Sequence, residues 1–141
     1  MGREDVSARC GAIEECYEFM LAYAGQGLSG KENSQASSQV RDFLNRAVEA
    51  LTGLSEAYSR TVRQENLQPT ERFFAFQTVL EKDASDSLAM IQLVLAQAVI
   101  SSQLVDNLNA SIHLRALLTD LFLIDEILKP QPVPAKPEIR S

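Results

Sequence analysis

Residues 25–32 read GQGLSGKE, and the fold class turns on them. Gly25, Gly30 and Lys31 satisfy G-x-x-x-x-G-K, and Gly25, Gly27 and Gly30 also spell G-x-G-x-x-G. Taken as a phosphate loop, the stretch would make the chain an α/β nucleotide binder. The position that would supply a magnesium-binding hydroxyl is Glu32, whose charge repels phosphate. A phosphate loop also follows a strand, so that its amides meet the anion at the start of the next helix. A helix precedes this one. Val6, Cys10, Ile13, Tyr17, Met20 and Ala24 step 4-3-4-3-4 along a single stripe, with Cys16, Phe19 and Tyr23 beside it. The glycines therefore read as a helix stop, with Gly25 or Gly27 in the left-handed conformation. The Ser-rich ENSQASSQ that follows reads as a flexible connector.

The rest of the chain keeps the helical period. Proline is absent before Pro69 and between Pro69 and Pro130, and no β-branched alternation marks a strand. The spacing predicts helices over residues 4–24, 37–66, 70–98 and 101–129. The second carries Val40, Leu44, Ala47, Leu51, Leu54 and Tyr58 on its inner face, with Gly53 as a site of kinking or close approach. The third is inward at Phe73, Gln77, Leu80, Ala84, Ser87, Ile91, Val94 and Ala98, and its polar middle, KDASDS (82–87), reads as a weak point. Ser101 or Ser102 caps the fourth helix. Four helices on short connections predict an all-α, antiparallel up-and-down four-helix bundle over residues 1–129. Residues 130–141, with four prolines in the first eight, are expected to form an extended or disordered tail.

The composition narrows the function classes. The 141 residues carry 13 basic and 19 acidic side chains, a formal charge of −6, with the cations scattered. That argues against nucleic acid, whose phosphates need clustered Lys and Arg, and against an anionic membrane surface. The opening MGREDVSARCGAIEE has no apolar signal core, and Val6 replaces the Ser or Thr of a myristoylation pattern. No apolar run reaches the ~20 residues of a membrane span. A cytoplasmic protein is expected.

Catalytic constellations are sparse. Cys10 and Cys16 are six residues apart on one helix, about 240° around its axis, so they read as separate core thiols. A di-iron bundle needs Glu-x-x-His pairs, but the single histidine, His113, has Ala110 three places before it. A haem ligated by His113 with Met20 or Met90 has no further support. No cofactor or metal is expected. Asn109-Ala110-Ser111 spells a glycosylation sequon in mid-helix and reads as a chance match. His113 is the one candidate phosphoacceptor. The chain is similar in size and expected architecture to histidine-phosphotransfer bundles, with Arg115 two places on, although Ile112 and Leu114 flank the ring.

The fourth helix is apolar over well over half its circumference, which predicts burial on more than one side. With no assembled catalytic set, the leading expectation is a non-enzymatic interaction module, an adaptor or regulatory protein. It is expected to be a homodimer or to bind a heterologous protein partner. Leu114, Leu117, Leu121, Phe122 and Ile124 are the expected interface. The alternatives are a phosphotransfer-like bundle using His113 and a cofactor- or metal-binding bundle.

Overall fold

A computed structural model describes residues 2–25 and 34–128. Most of the glycine connector and the proline-rich segment 130–141 lie outside the described residues. The described chain is all helical, with α1 at Gly2–Gly25, α2 at Ser34–Leu51, α3 at Leu54–Gln64, α4 at Thr70–Leu95, α5 at Ser102–Asn109 and α6 at Ile112–Leu128. Among the described residues, no helix is long and apolar enough to cross a membrane.

The expected second and fourth helices are each broken in two. Leu51 ends α2, and Gly53 sits at φ 89°, ψ 4°. A left-handed residue there releases the last carbonyls of α2 from intrahelical partners. Arg9 of α1 supplies the donors. Its Nη1 donates to the carbonyls of Glu49, Ala50 and Thr52 at 3.3, 2.9 and 2.7 Å. Asp5 holds the guanidinium from one turn earlier, with Nε to Oδ1 at 3.2 Å.

The second break falls at Ala110–Ser111. Ser111 Oγ accepts from the backbone N–H groups of His113 and Leu114 at 3.1 and 3.3 Å, an N-cap that starts α6 anew. Ser101 caps α5 in the same way, through Leu104 N at 3.1 Å. The sequon is thus part of a helix start, and its Asn109 is buried.

The polar run 82–87 does not interrupt α4. Lys82 and Asp86 pair one turn apart on the outside, while Ala84 and Ser87 turn inward. Ser87 Oγ donates to the His113 carbonyl at 3.2 Å. The end of α4 is closed by Arg41 of α2, which donates to the carbonyls of Leu95, Gln97 and Ala98 at 3.0, 2.6 and 3.0 Å. Arg3 does the same at the end of α6, donating to the Leu128 carbonyl and pairing with Glu65. Three helix ends are therefore finished by an arginine from a different helix.

Packing follows from these joints. α1 and α4 make no contact with each other, and each packs against both two-piece arms, α2–α3 and α5–α6. α5 lies chiefly on α1, and α6 chiefly on α4. Neighbouring segments run in opposite directions. Arg9 meets residues 49–52 while Phe19 stacks on Phe43 at 4.4 Å, and Tyr23 Oη donates to the Ile100 carbonyl while Arg3 reaches Leu128. One core joins all six helices, including Val6, Ile13, Met20, Leu44, Leu54, Leu80, Ile91, Leu117 and Leu121. Cys10 and Cys16 are both inside it, since α1 is covered from two sides.

At Gly53 an added Cβ would find its nearest neighbours in the Arg9 guanidinium, 3.6 Å away, which is ordinary contact. The cost of Gly53→Ala is therefore conformational, about 1–2 kcal/mol for a non-glycine residue at positive φ. Arg9→Met should cost a similar amount by leaving carbonyls unpartnered. Both are checked by chemical denaturation, with the m-value unchanged.

Candidate functional site

The face between α4 and α6 gathers the features that the fold leaves outside the core. Because the two helices are antiparallel, the start of α4 meets the end of α6. There Tyr58, Arg72, Phe73, Phe76, Leu123, Ile124 and Ile127 line an apolar groove of about 230 Å³. Tyr58 forms its floor, with its hydroxyl donating to the Phe73 carbonyl at 2.7 Å and its ring edge-on to Phe76. Leu123 is 48% exposed and Ile127 46%, with Val79 of α4 exposed to 46%; Phe122, 57% exposed, is not among the residues lining the groove. Exposed large apolar side chains on one face mark contact surfaces.

Three of the five expected interface residues, Leu114, Leu117 and Leu121, are not part of this surface, and Ile124 reaches it only at the base of the groove. Leu114, Leu117, Leu121 and Ile124 are buried. The excess apolar circumference of α6 is taken up within the chain by α1, α4 and α5. Phe122 alone of the five is outward, and Leu123 and Ile127 join it. Sequence reasoning missed these two because on a helix apolar nearly all round no stripe separates inside from outside.

Further along, the same face becomes polar. Asp120 of α6 is 7% exposed and faces Asp83 of α4. Burial, then the Asp83 carboxyl, pushes its pKa up to about 8. Beyond this pair lies His113, with its side chain 51% exposed and Nδ1 3.7 Å from Asp86 Oδ2, within ion-pair range when the ring is protonated. Lys82 Nζ donates to the same oxygen at 2.9 Å and, with a smaller contribution from His113, holds the Asp86 carboxyl below its usual range. The leucine that flanks His113 in sequence, Leu114, turns into the core, while Ile112 faces solvent.

Other residues offer less. Glu14 is raised by burial and by Asp125 and Glu18, an acidic stripe between α1 and α6. A recess of about 400 Å³ opens where the α2–α3 break faces α4, with Gln77 bonded to Ser55 inside it. Met20 is in the core, away from the exposed His113, and Met90 Sδ accepts from Ser111 Oγ at 3.2 Å. Among the described residues, no three His, Cys, Asp or Glu side chains converge as metal ligands do. The phosphate-loop letters lie outside the described residues beyond Gly25, where α1 ends.

No protein-family model matches the chain, no curated protein matches it and no solved structure matches it.

Burial pushes both thiols up to about 12, with acidic neighbours adding to the shift at Cys10. Neither should react with a maleimide or a disulfide reagent at pH 8 in the native protein, and both should react in guanidinium. Mass spectrometry of the labelled protein reads the result directly.

Proposed function

We propose that the chain is a non-enzymatic helical-bundle interaction module that works as a homodimer through its α4/α6 face, in the role of a cytoplasmic adaptor or regulatory protein. The two-piece arms and the two continuous helices occupy the four corners of an up-and-down bundle. One observation carries the reading. Leu123 and Ile127 remain half-exposed in a groove also lined by Phe73 and Phe76, and the exposed apolar side chains Val79 and Phe122 lie on the same two helices. A second copy, placed by a two-fold axis, would bury this patch against itself, which is the commonest closed assembly. The expected interface thus moves from the inner to the outer residues of α6.

Light scattering at micromolar concentration should give a dimer mass. Leu123→Glu, which replaces a half-exposed residue and leaves the core intact, should raise the dimer dissociation constant at least about tenfold with an unchanged far-UV spectrum. A strict monomer in the wild type would sink the dimer.

A second reading uses His113 as a phosphoacceptor. Its support is the exposed ring on a helix face, with the Asp86 carboxylate 3.7 Å from Nδ1. Incubation with phosphoramidate, a histidine-selective phosphoryl donor, should add one acid-labile phosphoryl group that is missing from His113→Gln. An unmodified wild-type protein would remove this reading.

A further inference from the structure

We propose that the α4–α6 seam is closed by a proton: Asp120 is held there as a neutral carboxylic acid that donates to Asp83, and the seam loosens when that proton leaves. The geometry requires something of this kind. Asp120 sits among Leu117, Leu121 and Ile124 on the inner side of α6, and with both carboxyls ionised its buried Oδ2 has no donor within reach. Two facing carboxylates cannot both stay charged in such a place, because each lacks water and each repels the other. Protonation turns the repulsion into an O–H···O⁻ bond across the seam, among the shorter and stronger kinds.

Among the described residues no cation acts on Asp120, while Lys82 of α4 is attracted to Asp83 less strongly than to Asp86. From α4, Asp83 is the group that acts on Asp120, while Lys82 and Asp86 are engaged with each other and with His113. From α1, Cys10 and Glu14 lie against Asp125, five residues further along α6. From α5, Asp106 is exposed, and on α6 itself Arg115 is exposed.

The direction of the pH effect follows from the values. The Asp120 carboxyl titrates near 3.8 when unfolded and at about 8 when folded. Folding therefore takes up a proton between those limits. The stabilisation is complete at low pH, declines as pH rises through this interval and is gone above about 8. Neither the dimer nor His113 phosphorylation enters this dependence, so it persists in Leu123→Glu.

Thermal unfolding from pH 5.5 to 9.5 tests the proposal in the full chain. The wild type should lose at least roughly 5 °C in Tm across that range. Asp120→Asn, which keeps the shape and can donate to Asp83 at every pH, should abolish most of the loss and exceed the wild type at pH 9. Asp83→Asn should flatten the curve as well. Glu14→Gln separates the acidic stripe on α1 and should leave the Asp120-dependent part intact. Amide exchange, corrected for intrinsic rates, should quicken at high pH in residues 82–90 and 113–122 before it does in α1 and α2. If Asp120→Asn fails to fold, the carboxyl carbon of Asp120 in labelled wild-type protein still decides by NMR. A midpoint in the ordinary carboxylate range, or a Tm profile that Asp120→Asn leaves unchanged, would overturn the proposal.

Discussion

The Arg9 guanidinium, laid across the end of α2, is the contact on which the other elements depend. Breaking a long helix releases carbonyls that need donors wherever water is scarce. At Gly53 the donors come from a helix more than 40 residues earlier in the chain, so the break and the docking of α1 are one event. Arg41 and Arg3 repeat the arrangement at the ends of α4 and α6. A guanidinium suits the task because its fork reaches several acceptors while its stem packs along apolar surface. One core joins the six helices, and three helix ends are finished by these three side chains.

The two breaks have different consequences. At 52–53 the arm α2–α3 keeps packing on α1 and α4. At 110–111 the arm changes allegiance, α5 to α1 and α6 to α4. The second joint is what brings α6 onto α4 with its apolar end in a groove and its acidic middle against Asp83. The apolar groove, the histidine and the carboxyl pair thus share one origin, the cap that Ser111 makes for α6.

Much of this was legible in the sequence. The 4-3 stripe of α1 placed Val6, Cys10, Ile13 and Met20 in the core correctly, and Gly53 was marked as irregular. Ser111 was not, because a serine inside an apolar run signals a cap only once the preceding turn is known to end. In the polar run 82–87 the helical period places Ala84 and Ser87 inward, as observed, while its composition alone suggests a weak point that the continuous α4 does not have. On α6 the apolar residues surround the axis, and periodicity does not separate the buried Leu117, which the sequence reading puts at the interface, from the exposed Leu123, which it leaves out. The pairing of Asp83 with Asp120 had no sequence signal, since the two are brought together by the register of α4 on α6 and by no local pattern.

The contact between Arg3 and Leu128 joins residues 125 positions apart, and Tyr23 meets the Ile100 carbonyl across 77. Vectorial synthesis delivers α1 long before either partner. While α2, α3 and α4 emerge, the side of α1 that α5 and α6 will cover stays bare, and the nascent chain carries that sticky surface until residue 128 clears the ribosome. Contacts this far apart in sequence close late, since loop closure precedes them. A pause in translation within residues 70–128 would prolong the period in which this chain is most prone to aggregate.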